Sequence, residues 1–401
     1  MRTSPGFDDI VIGSGLAALG TVSGLDPGRR VLVLGGPAVG KMGYYDERRT
    51  VPCLYQGKGG LGNFWHGVIP TAFQHGFGPA EHPVFAALFS HFYPRSKVED
   101  KLGRPWLFVP WRPIRPAREL REIAATRNGR MTLLPDSAVR FTFRDTKVEV
   151  HTSAGSFNAG RLWIAAGVLQ TPGLLTRSMG IELARGLVSD HAFCYIGQVD
   201  GLPAPRILHT LDGVFMPVHH GSSTTAIYTV RPARSSFRKL DFGIEQRALF
   251  GLPTGSALSK IARRLSTGLL AEALYNRFGV FASARRYSIY AQVETPDAYA
   301  LRDDPDQPLS VRASVIRQRC DQARSEQPFP DLVGSQRPDV HIPGIHLHHS
   351  VDLESLAAAG INQPASPVQV VDASVMAGIG PEHHSFKMMV SARARAAASV
   401  T

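Results

Sequence analysis

A short apolar strand, Asp9-Ile10-Val11-Ile12, runs into Gly13-Ser14-Gly15-Leu16-Ala17-Ala18, and this junction constrains the chain more than any other segment. The spacing is G-x-G-x-x-A. Gly13 permits a tight strand-to-helix turn, Gly15 lets the backbone approach a pyrophosphate, and small Ala18 lets the helix lie close on the strand. A helix starting there aims unpaired N–H groups and the positive end of its dipole at the phosphates. The surroundings agree: a helix is expected from Leu16 to about Leu25, then a second apolar strand over Arg30–Leu34. A plain strand–turn–helix uses similar glycines, so the context carries the dinucleotide reading. One position departs from it. The acid that grips an adenosine ribose belongs about 20 residues on, at the end of the second strand. Gly35 and Gly36 stand there, while Asp46 and Glu47 fall in a later loop. The ribose contact is either lost or supplied otherwise.

With 401 residues, 43% hydrophobic and 19% charged, the chain can bury a full core and is expected to form two domains. No apolar run is long enough to span a bilayer, and the first strand begins too early to leave room for a secretory signal. Cys53, Cys194 and Cys320 lie in unrelated contexts, which predicts neither a metal site nor a disulfide and leaves a cytoplasmic location as the default. The net charge is +11, and because only 8 of the 44 basic residues are lysine the excess is arginine. Those arginines are scattered without aromatic interleaving, so no nucleic-acid partner is expected. They crowd only between Arg231 and Arg286. There Leu258, Ile261, Leu265 and Leu269 recur at helical spacing around Lys260, Arg263 and Arg264. An amphipathic helix over 256–278 suits peripheral contact with an anionic membrane surface, and equally suits packing on the protein itself.

The run from Gly57 to Gly67 crowds glycines beside Phe64, Trp65 and His66, as a backbone pressed against a flat ligand would; a flexible surface turn is the alternative. The stretch His82–Pro116, rich in proline and aromatics, reads as irregular loop. A helix is expected over Ala117–Arg127 and a strand over Met131–Leu134. A small β-meander follows through Val139–Phe143 and Val148–His151, with a turn at Ala154-Gly155. Leu162–Ala166 reads as a buried parallel strand that gives way to a helix over Thr171–Met179. Residues 196–340 mix short strands with the basic stretch. A strand at Val368–Val371 and a helix over Ser385–Ala397 return the chain to its first domain.

Four segments, taken in order, resemble the glucose–methanol–choline oxidoreductases, flavoproteins that oxidise alcohols and sugars. They are the N-terminal glycine motif; Gly59-Gly60 through Asn63 and Trp65; Ile164–Leu175 with Ser178-Met179-Gly180-Ile181 and Asp190-His191; and Val370-Val371-Asp372-Ala373-Ser374-Val375-Met376 leading to His383-His384. They cover roughly a third of the chain. The middle is similar only through Gln292-Val293-Glu294-Thr295-Pro296 and Leu301. The resemblance implies an α/β fold: a doubly wound, Rossmann-like FAD-binding domain (1–75, 117–195 and 341–401) with a smaller discontinuous α+β substrate or cap domain (76–116 and 196–340). At this length the cap is expected to be trimmed or remodelled.

The same resemblance implies FAD contacts from Gly13, Gly15 and Ala18, from Gly59, Gly60, Asn63 and Trp65, and from Val139, Ala166 and Gly167. It adds Asp190, His191, Asp372 and Ala373. Some family members attach flavin through a histidine in the glycine-loop segment. Here Phe64 precedes Trp65 and His66 follows it, so non-covalent FAD is expected.

Hydride transfer from a carbinol to flavin also needs a base for the hydroxyl proton, and a neutral imidazole suits that task. The family places two residues at the flavin, His with His or His with Asn. The second falls eleven residues after the aspartate of D-A-S-V-M, which is His383 here, with His384 adjacent. The first lies upstream, in Gly344-Ile345-His346-Leu347-His348-His349-Ser350, which lacks the family's glycine–threonine pair. In a strand His346 and His348 would share one face and His349 the other. His349, directly before Ser-Val-Asp, is the expected partner, with His348 close behind. These histidines could also assemble a metal site. No carboxylate or cysteine falls at a ligand spacing nearby, so no metal is expected, and any single histidine also suits a plain core position.

The leading expectation is an FAD-dependent oxidoreductase acting on a hydroxyl of a small-molecule alcohol, polyol or carbohydrate, with the electron acceptor unspecified. Two alternatives stay open. One is a flavoprotein that desaturates or isomerises a carrier- or glycan-linked intermediate. The other is a non-enzymatic relative acting in assembly or binding, for which Gly35 is the best support.

Overall fold

The computed structural model describes residues 6–45, 49, 51–65, 67–72, 81–144, 147–202, 207–223, 225–232, 286–334 and 341–399. In chain order, β1 (Phe7–Ile12), α1 (Leu16–Gly24) and β2 (Val31–Leu34) precede a hairpin of β3 (Lys41–Tyr44) and β4 (Pro52–Gln56) and a 3₁₀ turn over Gly60–Phe64. Next come β5 (Ile69–Pro70), α2 (His82–Phe92), β6 (Trp106–Pro110), α3 (Pro116–Thr126) and β7 (Met131–Leu134). The meander β8 (Ala138–Arg144), β9 (Lys147–Thr152) and β10 (Gly155–Ile164) leads to α4 (Thr171–Met179) and the long β11 (Leu187–Asp200). Then follow β12 (Leu208–His209), β13 (Gly213–Pro217), β14 (His219–His220), β15 (Ala226–Pro232), β16 (Arg286–Leu301) and β17 (Leu309–Val311). The remainder is α5 (Ala313–Ser325), β18 (Val333–Gly334), β19 (His341–Pro343), α6 (Leu353–Ala358), β20 (Val368–Val370) and α7 (Ser385–Ala398).

The sheet that positions the site is parallel across β7, β2, β1, β10 and β20. Its strands read as unbroken apolar runs because both faces are covered: Val31–Leu34 is buried throughout, and so is Ile10–Ile12. α1 and α7 cover one face. They lie so close that a Cβ on Gly20 would stand 2.2 Å from Met389 O. β10 changes partner along its length. Its first half, Gly155–Ala159, pairs antiparallel with β9, and Leu162–Ile164 pairs with β20. The order departs in opposite directions from β1 and β10, so a crevice forms beyond their C-terminal ends.

A second, antiparallel sheet runs β14-β15-β16-β11, with β17 on the edge of β16 and β18 and β19 beside β11. Its spine is β11 on β16, paired from Leu187–Ala300 to Asp200–Arg286. The domain boundary expected between residues 195 and 196 falls inside β11. α5 packs on this sheet, and a disulfide joins its Cys320 to Cys194 of β11, with the Cα atoms 6.0 Å apart. This corrects the expectation of unpaired cysteines. The two sit 126 residues apart, and the sheet brings them together where no local spacing announces it. Cys53 is free and buried.

β12, β13, β6 and β5 form a small third sheet. Its Phe108 meets Phe89 of α2 edge-to-face at a centroid distance of 4.8 Å, and its Phe215 lies tilted 4.9 Å from Phe108 and stacks on Phe89 at 6.4 Å. Phe386 of α7 meets Phe85 of α2 at 5.0 Å, which ties this sheet to the parallel one. Residues 82–116 are therefore not all loop. Pro83 lies in the first turn of α2, where its missing N–H is harmless, and Phe85, Leu88 and Phe89 bury one face. The 256–278 stretch, His66, Asp46 and Glu47 lie outside the described residues. Among the described residues no helix is long and apolar enough to cross a membrane.

Candidate active site

A cleft of about 340 Å³ opens at the crevice between β1 and β10 and extends from the Gly13–Gly15 turn to the residues that begin α7. The two glycines serve different ends. Gly13 has φ +113°, and a Cβ there would lie 2.0 Å from Ala165 O, so the protein itself demands glycine. A Cβ on Gly15 would meet only Gly59 O, at 3.7 Å, so the space it leaves is room for a ligand. α1 starts with no side-chain cap and no acid in its first turn, which leaves its N–H groups and dipole for an anion. Ser14 Oγ donates to Gly35 O and accepts from Gly59 N–H, both at 2.8 Å, and so locks the turn to the glycine loop. Gly35, Gly36, Ser137, Ala138 and Arg177 line the end where the ribose acid is missing.

Asp372 is the single carboxylate among the described lining residues. Its Oδ2 accepts from Gly167 N–H (2.8 Å) and Thr171 Oγ1 (2.7 Å), and its Oδ1 from Ser374 N–H (3.0 Å). One side chain thus ties the β10–α4 turn to the turn after β20. An uncapped helix, a glycine whose missing Cβ faces the cleft, and a crevice flanked by both turns fit an extended dinucleotide such as FAD.

At the far end five imidazoles pack together. His191 Nδ1 lies 3.1 Å from His346 Nδ1, and His346 Nε2 lies 3.4 Å from His383 Nδ1. His384 lies 5.3 Å from His346 and 5.5 Å from His348 between ring centroids. All five rings are buried. Burial holds His191 down to about 4, helped by the charge of His348. Burial and the neighbouring imidazoles hold His346 and His384 well below the usual imidazole range. These three rings are neutral bases. His348 differs. Its Nδ1 meets His346 O at 2.9 Å and its Nε2 meets Glu294 Oε1 at 3.1 Å, so both ring nitrogens face acceptors. Burial alone would raise the Glu294 pKa, but the His348 hydrogen bond and charge bring it below the usual carboxylate range.

Asp190 holds this group from behind. Its Oδ1 accepts from the backbone N–H of both His191 and His346, each at 2.7 Å, and its Oδ2 from Tyr45 Oη at 2.7 Å. Burial pushes its carboxyl up to about 6 despite those donors.

Of the residues expected from the sequence, Gly13, Gly15, Gly60, Trp65, Ala166, Gly167, Asp372, Ala373, His383 and His384 line the cleft. The others lie off it. Ala18 is buried in the helix–sheet core. Gly59 braces Ser14, and Asn63 turns its amide to Lys58 O. The Val139 side chain is exposed, and its carbonyl accepts from Arg177 Nε at 3.2 Å. Asp190, His191 and His348 stand behind the wall. His349 is a correction: its Nδ1 accepts from Arg185 Nη1 at 3.1 Å, Arg185 pairs with Asp297, and the ring does not line the cleft. The physical reason is backbone. Ile345 (φ 59°) and His349 (φ 55°) are left-handed, so strand alternation fails and His346 reaches the cleft instead. Ser14, His346 and Glu294 join the site from the structure. The only sequence signals for them were the G-x-G context, the histidine run and the Gln292–Pro296 segment.

No family model and no curated protein sequence matches the chain. Among solved structures, pyridoxine 4-oxidase from Mesorbium loti is similar with a TM-score of 0.52 at 13% identity, over 98% of each chain. A fungal aryl-alcohol oxidase is similar with a TM-score of 0.50 at 14% identity, over 99% of each chain. The chain thus has the fold of the glucose–methanol–choline oxidoreductases, the family that its four ordered segments resemble.

Proposed function

We propose that the protein is an FAD-dependent oxidoreductase that oxidises the hydroxyl of a small apolar or aromatic alcohol. The observation that carries this reading is a single cleft with an anion cradle at one end and a buried pair of imidazoles, His346 and His383, at the other. The Gly13–Gly15 turn and the first turn of α1 would hold the pyrophosphate, and the 60–65 loop with Asp372 and Ala373 would flank the ring end. Bound there, FAD supplies a two-electron hydride acceptor. His383 takes the hydroxyl proton, and buried His346 and His384 keep the site free of competing positive charge. Apolar neighbours support the substrate class: the Phe193 ring lies 5.9 Å from His383, and Ile345 and Leu347 flank His346 along the wall. The two similar oxidases, named for pyridoxine and aryl alcohols, agree with that class.

The test is spectroscopic. Purified protein should carry flavin absorbance, or acquire it with added FAD, and acid should release the flavin to the supernatant. Anaerobic mixing with benzyl alcohol, pyridoxine, glycerol and D-glucose should bleach it, the first two faster. Protein that takes up no FAD, or flavin that none of the four reduces, overturns the reading.

A further inference from the structure

Three of the buried imidazoles form a row whose end is fixed by a group that cannot change its role. His191 Nε2 lies 2.7 Å from Gly380 O, and a carbonyl oxygen only accepts, so Nε2 carries the hydrogen. His191 is neutral, so its Nδ1 is a lone pair. His346 Nδ1, 3.1 Å away, must then be the donor, which leaves His346 Nε2 as an acceptor. His383 Nδ1, 3.4 Å from that Nε2, is by the same rule an N–H. We propose that His191 is a positioning residue that sets the ring tautomers of His346 and His383, leaving Nε2 of His383 as the basic nitrogen. The inference rests on the alcohol-oxidising reading for its purpose, but the tautomers belong to the resting protein.

The row is built rather than incidental. Asp190 Oδ1 accepts from the backbone N–H of both His191 and His346, so one oxygen fixes the two segments to each other. Gly344 N–H donates to His191 O at 2.7 Å, and a Cβ on Gly344 would lie 2.6 Å from the His191 Cβ, so the segment bearing His346 passes as close as a backbone can. Gly380 is held in turn, since its N–H donates to Glu294 Oε2 at 3.1 Å. The charged and titratable groups around the row include the His348–Glu294 pair beside His191, Asp190 with Tyr45 behind it, His384 with Lys387 on the α7 side, and buried Glu382 next to His383 in the chain. An imidazole with its lone pair fixed at Nε2 abstracts a proton and has none to donate there. The row therefore presents His383 to the substrate as a base.

The test is site-resolved ¹⁵N spectroscopy of the histidine rings in the full chain as purified, at neutral pH, with variants to assign each ring. The expected result is Nε2–H on His191 and Nδ1–H on both His346 and His383. His191→Phe, which removes both ring nitrogens, should give mixed tautomers at His383. With the fastest alcohol of the panel, it should lower kcat by about tenfold while KM stays within about twofold. His191→Asn, whose amide oxygen accepts from His346 Nδ1, should restore the single tautomer and much of the rate, and it serves equally if the Phe variant fails to fold. An Nε2–H on His383 in the unaltered protein overturns the proposal, as does a His191→Phe variant with unchanged His383 tautomer and kcat. Because the spectra need no turnover, a failed alcohol reaction and a failed tautomer assignment are told apart.

Discussion

Three imidazoles held neutral by burial, His191, His346 and His384, make the folded state sensitive to acid. Each has a folded pKa below the unfolded value of about 6.5, so as pH falls through 6.5 the unfolded chain binds protons that the folded one refuses. For His191, lowered from 6.5 to about 4, the loss is of order 3 kcal/mol. Asp190 opposes this. Its folded pKa, raised to about 6, makes its contribution grow as pH falls from 6 toward 4. With three groups against one, the Tm should fall steadily from pH 6.5 to 4, and a flat or rising Tm there would contradict the assignment of these rings. A second outcome separates the histidines by role. His383→Asn should lower turnover by about 100-fold or more with flavin uptake intact. His349→Asn, which tolerates a left-handed backbone, should leave turnover within about threefold. The count from Asp372 made His383 legible in the sequence. The upstream partner was not, because a positive φ at Ile345 and His349 leaves no mark on residues other than glycine.

At the scale of elements, the β1–α1 turn separates folding from binding through two glycines one residue apart. Gly13→Ala forces a Cβ against Ala165 O and should abolish soluble expression, a loss above about 4 kcal/mol. Gly15→Ala meets no such obstacle and should fold with a near-normal Tm while binding FAD at least about tenfold more weakly, measured by equilibrium titration. Equal behaviour of the two variants would remove the anion cradle from the reading. Most elements of this parallel sheet were readable to within a residue or two, since buried strands and an amphipathic α3 write their periods into the sequence; β10 starts at Gly155 and not at Leu162, because its first half pairs with β9. α2 was not, because its leading proline and dense aromatics look like loop composition until Phe85, Leu88 and Phe89 are seen to share one buried face.

For the whole molecule, the Cys194–Cys320 link closes a 126-residue span and joins α5 to the spine of the second sheet. Peptide mapping without reductant should recover the pair crosslinked, and recovery of both as free thiols would disprove it. Replacing both by alanine should lower stability by about 2–4 kcal/mol, read as a lower Tm, while flavin binding at the other sheet persists. The pairing also removes the cysteine argument for a reducing compartment, because disulfides persist where the surroundings are oxidising. The tight seat of α7 on α1 has a consequence for how the chain is made. Gly20 leaves the ribosome long before Met389, so until α7 emerges the nascent chain carries an open apolar flank on α1. The flank of the dinucleotide cradle closes only once α7 is available, and ribosome-bound chains halted before Ser385 should remain open to protease at α1.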